Sequence, residues 1–392
     1  MAACDTLALM RTRISHFSSA CLLALSLSAA ADDTVPLNIN VGLLLPLSGS
    51  LASTAEAVRD GFISAHLRAG GKGAVKVYDA GNTSDSTLAA YRQALSDGAE
   101  IIVGPLRKES VTALAADGKP KVPVLALNYL DDPTAAPSKF FQFGLSPEDE
   151  ARAAAERAIA DGDRRALAMV PDTEWGQRVL NAFDKRLHEL GGGVLQTARY
   201  TPGKPDFGPL IQDLMKLDAS ESRHKALTGI IGTQTEFEPR RRDDVDLIFL
   251  AARAADGRLI WPQFRYFRAT DLPAYATSLI YEGRSDKDLN GVRFCDMPWM
   301  VQSEGNYATE RSQLGDLASL RNQPRLFALG RDAYTLAGLI ATDQMQAGTA
   351  YPAATGNLQF SGKSAITRGL TCARFNGDSI EALDVNLPNA ER

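Results

Sequence analysis

Short apolar runs alternate with amphipathic segments along the first third of the chain. The runs are VGLLL (41–45), VKVYD (75–79), EIIVG (100–104) and VPVLALN (122–128). Runs of this length and composition are typical of buried strands. The segments between them have apolar residues at helical spacing and predict helices near 52–69, 86–97 and 108–117. Strands that alternate with helices predict a parallel sheet covered on both faces.

A second series of the same kind begins in the stretch FGLSPEDEA. Ser146 is a favourable N-cap, Pro147 suits the first helical position, and Asp149 completes a capping-box pattern. The predicted strands of this series are 165–170, 194–200, 245–252 and 259–267, and its predicted helices are 175–190 and 206–217. Two series of similar length and rhythm predict an α/β fold with two lobes.

The segments after residue 292 are too short to form a third domain, so we expect them to complete the two lobes. QPRLFALGRDAYTLAGLIA predicts one more core helix, and LTCARF predicts a final strand. The predicted first lobe is 37–145 plus about 297–345, and the predicted second lobe is 146–296 plus about 346–385.

The N-terminal segment has the pattern of a signal peptide. Arg11 and Arg13 precede the apolar run SSACLLALSLS, which is too short to cross a bilayer, and Ala29-Ala30-Ala31 supplies small residues for cleavage. We therefore expect residues 1–31 to be removed and the protein to reach the periplasm. Cys21 lies at the start of the apolar run rather than at its end, so no lipid anchor is expected. No later stretch predicts a transmembrane segment.

Charge and composition exclude several classes of function. The chain has 392 residues, 23% of them charged, and a formal net charge of −5, which argues against a nucleic-acid partner. Beyond the signal peptide the histidines are isolated: His66, His188 and His224. Neither a metal-ligand cluster nor a catalytic or nucleotide-binding motif occurs in the sequence. We therefore expect no enzyme activity, no metal and no cofactor.

Two cysteines follow the predicted signal peptide, Cys295 and Cys372. In an oxidising compartment two thiols often form a disulfide bond. Two separate buried thiols are the alternative, and the sequence leaves both open.

The loop PLSGS after the first strand invites comparison with a phosphate-binding loop. It fails that test, because Pro46 has no N–H, the loop has one glycine, and no lysine starts the helix. The hydroxyl of Ser48 can still face a ligand cleft, since ligand sites in α/β sheets lie at the carboxyl ends of strands. A turn that merely caps its helix is the alternative.

The order of motifs resembles the type I periplasmic binding proteins, the branched-chain amino-acid binders. The motifs are VGLLLPLSG, VYDAGN, GAEIIVGPL, VPVLALN, FGLSPEDEA, DTEWGQR and KPDFGPLIQDL, and the likeness covers nearly all of 37–385. It implies two Rossmann-like lobes with parallel sheets, joined by three crossing strands around a cleft.

A narrower resemblance is to the C-terminal domain of the LpoA (YraM) family. It rests on LPLSGSLASTAEAVRDGF, IVGPLRKESVTALA, RRRDDVDLIFLAA, PQFRYFRATDLPAYATSLIY and FCDMPW. That family activates class A penicillin-binding proteins, the synthases that polymerise and cross-link peptidoglycan. The resemblance therefore implies a periplasmic regulator whose partner is such a synthase. Long family members also carry an N-terminal helical-repeat domain and a lipobox, and neither pattern is evident here.

Alignment with the binders suggests which residues face the cleft. The candidates are Ser48, Lys108, Glu109, Ser110, Asn128, Tyr129 and Trp175. Lys108 and Glu109 stand about where the binders place small hydroxyl residues, so an ordinary α-amino acid ligand is not expected. A peptidoglycan fragment is the larger alternative, with Lys108 on a carboxylate and Trp175 stacked on a sugar. The alternatives are a helix start exposed to solvent for Lys108 and Glu109, and packing within the lobe for Trp175.

The candidates for partner binding are arginines: Arg240, Arg241, Arg242, Arg265 and Arg268. Arginine and aromatic residues are enriched in protein interfaces, and guanidinium groups form bidentate pairs with carboxylates. The alternative for the run 240–242 is pairing on the surface with Asp243, Asp244 and Asp246. The alternative function is a solute-binding subunit of an ABC transporter for an amino acid or peptide-like ligand.

Overall fold

A computed structural model of the protein describes residues 36–232 and 236–383. The predicted signal peptide lies outside the described residues. Among the described helices, none combines the length and the apolar character needed to cross a membrane.

The described chain contains fifteen strands and twelve helices, apart from short 3-10 turns. The strands are β1 Val41–Leu45, β2 Val75–Asp79, β3 Ile101–Val103, β4 Val124–Ala126, β5 Phe140–Gln142, β6 Arg165–Pro171, β7 Gly193–Tyr200, β8 Leu247–Leu250, β9 Ala274–Ala276, β10 Arg293–Asp296, β11 Ala350–Ala353, β12 Gly356–Phe360, β13 Ile366–Gly369, β14 Thr371–Asn376 and β15 Ser379–Leu383. The helices are α1 Ala52–Arg68, α2 Ser84–Ser96, α3 Lys108–Ala116, α4 Pro147–Ala160, α5 Glu174–Glu189, α6 Gly208–Met215, α7 Leu217–Ile231, α8 Ala254–Tyr266, α9 Pro298–Val301, α10 Asn306–Leu314, α11 Ala318–Asn322 and α12 Pro324–Ala341.

Two sheets of the same topology form the centres of two lobes. The first sheet has the order β2-β1-β3-β4-β5, and all its pairs are parallel. The second sheet repeats that order as β7-β6-β8-β9-β10 with parallel pairs, and β14 and β15 extend it by antiparallel pairing. The predicted α/β fold with parallel sheets is confirmed.

The strands form where the chain can be buried on both faces. All five residues of β1 and all four of β8 are buried, so the continuous apolar runs are central strands, as the sequence predicts. The predicted helix in 324–341 and the predicted strand at LTCARF are likewise present as α12 and β14.

One predicted strand is wrong. Residues 259–267 lie mostly in helix α8, whose buried side chains include Ile260, Trp261 and Phe264. These positions share one helical face, and Pro262 is tolerated within the helix at an exposed position. The aromatic content of the segment reflects a buried helix face rather than a strand.

A third, antiparallel sheet extends the first lobe. Its order is β11-β12-β13, and a single bridge between Gln142 and Ala365 joins it to the edge of the first sheet. Ala353, Leu358 and Ile366 of this sheet belong to the core of the first lobe. Residues 350–369 therefore pack on the first lobe, whereas the predicted boundaries place them on the second.

The chain passes between the lobes three times: after β5, after β10 and after β13. Beside these crossings Cys295 on β10 lies directly opposite Cys372 on β14, and their sulfur atoms are disulfide-bonded at 2.01 Å. The bond joins two neighbouring strands of the second sheet and packs against Ala153 of α4.

Helices α1 and α12 cross at two glycines that face one another. A Cβ atom at Gly61 would lie 2.0 Å from the carbonyl oxygen of Phe327, and one at Gly330 would lie 1.9 Å from that of Val58. Real Cβ contacts are not this short, so the two backbones can approach only because both residues lack a side chain. This crossing holds α12 against the core of the first lobe.

We predict that Gly330→Ala lowers the free energy of unfolding by about 2 kcal/mol, because the added methyl group forces the helices apart. Urea denaturation measures the change. The matched control is Gly229→Ala in the exposed helix α7, where an added Cβ meets nothing within 4 Å. That control is expected to be neutral or to stabilise by up to about 1 kcal/mol. Equal effects of the two substitutions would contradict the proposed close packing.

Candidate functional site

A cleft of about 570 Å³ lies between the lobes, where carboxyl ends of strands from both sheets meet. Its lining includes side chains from the first lobe and from α4 and α5 of the second: Leu106, Lys108, Leu127, Asn128, Tyr129, Leu130, Asp131, Pro133, Leu145, Ser146, Pro147, Glu148, Asp149, Arg152, Glu174, Arg178, Leu326, Leu329, Ala365 and Thr367. Six of these residues are leucines, and seven carry a charged side chain.

The cations of the cleft are paired with carboxylates of the same lobe. Lys108 pairs with Asp131, and the Nη2 atom of Arg178 lies 2.6 Å from Oε1 of Glu148. Arg152 pairs with Asp149. A ligand carboxylate would therefore have to compete with a carboxylate already in place.

Polar side chains of the loop after β4 form hydrogen bonds with backbone groups of the first lobe. The Nδ2 atom of Asn128 donates to the carbonyl of Leu106 at 3.0 Å, and its Oδ1 accepts from the N–H of Tyr129 at 2.9 Å. The hydroxyl of Tyr129 donates to the carbonyl of Ile366 at 2.7 Å and accepts from the N–H of Gly144 at 3.2 Å. Burial raises the pKa of this phenol, which therefore stays protonated. Both residues line the cleft, yet their hydrogen bonds fix the loop.

Four sequence candidates are not among the residues that line this cleft. Ser110 is 2% exposed, and its hydroxyl lies 2.8 Å from that of Thr87 inside the first lobe. Trp175 packs against the second-lobe core, as the packing alternative proposed. Glu109 is exposed and pairs with Arg107 at 3.5 Å, and Ser48 is an exposed N-cap residue whose side chain makes no cap bond.

The candidate arginines lie at the outer end of the second lobe. Arg242 pairs with Asp244 at 2.6 Å, and this contact holds the pKa of that carboxyl low, at about 2. Arg241 pairs with Asp271. The surface-pairing alternative therefore describes Arg242, while Arg241 reaches a more distant carboxylate.

The other arginines of this group are exposed. Arg268 lies 3.1 Å from Glu238, and both side chains are more than half exposed. Within the described residues, no ion pair is formed by Arg240 or Arg265. Tyr266 follows Arg265 at the end of α8 with 81% of its surface exposed, and the contact of Arg268 with Glu238 connects this end of the helix to the segment that contains Arg240. The result is an exposed surface of arginine and tyrosine at the end of α8.

A buried polar network lies at the base of the cleft. Arg368 and Asp149 face one another at 3.4 Å, and each side chain is 1% exposed. Arg325 binds Asp296, which is also 1% exposed. Glu150 accepts a hydrogen bond from the N–H of Ser278 at 3.1 Å. Charged groups this far from water are retained only where partners compensate them.

Burial raises the pKa of Glu150 to about 7, and the nearby carboxylate of Asp296 acts in the same direction. The guanidinium groups of Arg368 and Arg325 oppose this shift. Near neutral pH this carboxyl is therefore divided between its protonated and ionised forms, in the middle of the junction between the lobes.

The family of the chain follows from its match to a family model. Residues 25–377 match the model described as LppC putative lipoprotein. The chain belongs to the LppC family. This match spans both lobes and all the residues of the cleft.

Curated relatives of this LppC-family chain are named penicillin-binding protein activator LpoA. One from Photobacterium profundum is 28% identical over 87% of this chain, and one from Vibrio antiquarius is 29% identical over 85%. The chain spans 56% and 57%, respectively, of the length of these two relatives.

Solved structures show the same fold. The LpoA (YraM) C-domain from Haemophilus influenzae, described as a regulator of PBP1A, has a TM-score of 0.65 and 24% identity, and the likeness covers 88% of this chain and all of that one. An ABC transporter substrate-binding protein from Sphaerobacter thermophilus has a TM-score of 0.56 and 16% identity, with 89% and 97% covered. The predicted type I periplasmic-binding-protein fold is confirmed.

The buried network of this LppC-family chain was not predicted from the sequence. The acidic run PEDE is visible in the sequence, but we assigned it only to the start of a helix. Arg325 and Arg368 lie in ordinary helix and strand patterns. Arg325 is 29 residues from Asp296, and Arg368 is 222 residues from Ser146, whose carbonyl accepts a hydrogen bond from it. Nothing local in the sequence indicates such contacts.

We predict that Glu150→Gln removes a pH-dependent loss of stability. The native carboxyl keeps its proton up to a pH of about 7, whereas the unfolded one loses it near its ordinary value of 4.5. Wild-type stability therefore falls as pH rises between these values, by up to about 3 kcal/mol. The amide oxygen of the substituted side chain would accept the same bond from Ser278 without titrating.

Urea denaturation of both proteins from pH 4.5 to pH 8 measures this effect. The difference in the free energy of unfolding should grow in favour of the variant as pH rises. Other titrating groups are common to both proteins and cancel in the difference. A difference that does not change with pH would refute the assignment of a raised pKa to Glu150.

Proposed function

We propose that the protein is a non-enzymatic periplasmic regulator that binds a class A penicillin-binding protein and stimulates its synthesis of peptidoglycan. The observation that carries the proposal is the match, over 85–87% of this chain, to relatives named penicillin-binding protein activators. Mechanistically, docking favours an active arrangement of the synthase, and the regulator itself supplies no reacting group.

The polar side chains of the cleft already have partners within the protein, and this favours a regulator over a transport receptor. Three cations of the cleft, Lys108, Arg152 and Arg178, face carboxylates of the protein. Asn128 and Tyr129 use their hydrogen bonds on the backbone. A transport receptor needs polar groups that are free to hold a small solute. Such a receptor is the alternative function, and the fold likeness to an ABC transporter substrate-binding protein is what favours it.

The docking surface that we propose lies at the end of α8 in the second lobe. Arg240 and Arg265 are exposed there with no ion pair among the described residues, and Tyr266 is 81% exposed. Arginine and tyrosine, together with tryptophan, are enriched among the residues that dominate binding energy. An acidic region of the synthase would complement the two arginines.

We predict that the purified protein increases the rate at which a class A penicillin-binding protein of the same bacterium polymerises and cross-links lipid-linked precursor. Product glycan and cross-linked peptides are measured with and without the protein. No increase at saturating protein would contradict the proposal. A thermal-shift panel of amino acids, peptides and muropeptides runs in parallel, since tight binding at a hundredfold excess stabilises a protein by about 2.7 kcal/mol. A clear shift with an amino acid would favour transport.

A double substitution tests the docking surface in the same assay. Arg240→Glu with Arg265→Glu should weaken binding of the synthase about tenfold or more, which corresponds to at least about 1.4 kcal/mol. The matched control is Arg321→Glu on α11, whose side chain is 60% exposed and pairs with Asp316. If the control variant weakens binding as much as the double variant, the proposed surface is wrong.

We also propose export with cleavage after Ala31 and without a lipid anchor. The n-region with Arg11 and Arg13 and the small residues at 29–31 support this. The family description as a lipoprotein supplies the alternative, acylation at Cys21. Mass spectrometry of the protein from the envelope fraction should find Asp32 as the first residue. A diacylglyceryl group on Cys21 would overturn the prediction.

A further inference from the structure

The junction between the lobes is crossed by side chains as well as by the backbone. Each backbone crossing has a charged residue close to it: Asp149 follows the first, Asp296 precedes the second, and Arg368 precedes the third. Asp149 and Asp296 belong to elements of the second lobe, α4 and β10. Arg368 and Arg325 belong to elements of the first lobe, β13 and α12. The contacts between these four residues therefore join one lobe to the other.

Arg325 holds three groups of the second lobe at once. Its Nε atom lies 3.2 and 3.1 Å from the two carboxylate oxygens of Asp296. Its Nη2 atom donates to the carbonyl of Ser278 at 3.1 Å and to that of Tyr281 at 2.8 Å. The planar guanidinium group suits this arrangement, because its five N–H groups lie in fixed directions.

Arg368 makes the second connection. Its Nη2 atom donates to the carbonyl of Ser146 at 3.1 Å, on the first crossing, and its Nε atom lies 3.4 Å from Oδ2 of Asp149. Its Nη1 atom contacts the carbonyl of Thr355 at 3.4 Å within its own lobe. The arginine thus ties the third crossing to the first.

We propose that these two arginine contacts brace the junction and hold the lobes at one fixed angle. The domain then does not close around a small ligand and presents both lobes to a partner as a single rigid body. A hinge rotation would pull each guanidinium away from its carbonyl and carboxylate partners. Charges that are buried in the braced state would be left uncompensated, which opposes the rotation. Receptors that close by a hinge instead rely on a few residues that absorb backbone rotation.

The distance between the lobes tests this proposal on the protein alone, so the outcome is independent of whether a synthase binds. Spin labels are attached to p-acetylphenylalanine introduced at Glu56 and Lys185. Both residues are exposed, neither lines the cleft, and they lie on α1 and α5 of opposite lobes. This chemistry leaves the disulfide of Cys295 and Cys372 intact. Double electron–electron resonance then gives the distribution of distances.

We expect one narrow distribution that amino acids, peptides and muropeptides leave unchanged. Arg325→Ala with Arg368→Ala should broaden it. The matched control is Arg374→Ala, which removes an exposed pair with Glu381 inside the second lobe and should leave the distribution as it is. Arg325→Lys keeps the charge but loses the planar fork, so it should broaden the distribution as well, though less than the double variant.

Three results would overturn the proposal. The first is a broad or two-peaked distribution in the protein without the arginine substitutions, and this result decides the matter even if the double variant does not fold. The second is a shift of the distance when a ligand is added. The third is an unchanged distribution in a double variant whose circular dichroism matches that of the wild type.

Discussion

Buried contacts between arginines and carboxylates join the two lobes at the crossings of the chain. Asp149, Asp296 and Arg368 are almost fully withdrawn from water, and such groups are tolerated only while their partners stay in place. The partners come from elements far apart in sequence. These contacts therefore form only when α4, β10, α12 and β13 are all in their folded positions. The relative placement of the lobes follows from satisfying these charges.

The same contacts help to explain why many polar groups of the cleft already have partners within the protein. The doubly wound sheets bring the ends of their strands to one place, and this creates the cleft. Residues that line the cleft form contacts within the protein near the junction. Tyr129 forms hydrogen bonds with Ile366 and Gly144, and Asp149 contacts both Arg152 and Arg368. Arginine and tyrosine stand exposed outside the cleft, and that is where we propose that a partner docks.

The sequence predicted what depends on local pattern. Apolar runs such as VGLLL became central strands, and the motif order identified a two-lobed fold and its family. Residues 259–267 were assigned wrongly because aromatic residues suit a buried helix face as well as a strand. Ser110 and Trp175 were placed by analogy with the binders. Packing within the lobe was the stated alternative for Trp175, whereas the burial of Ser110 was not visible in the sequence. The pairing of Arg368 with Asp149 was beyond reach, since these partners lie far apart in the chain and carry no local signal.

Hydrogen–deuterium exchange of the protein, free and bound to a class A penicillin-binding protein, distinguishes a braced two-lobed domain that offers an outer surface to the synthase from one that closes on a ligand. For the braced domain we expect binding to slow exchange in segments 236–242 and 265–268 and to leave exchange in the cleft loops 127–131 and 173–178 unchanged. Slower exchange in the cleft loops, with no change at the outer surface, would show that the partner binds at the cleft instead.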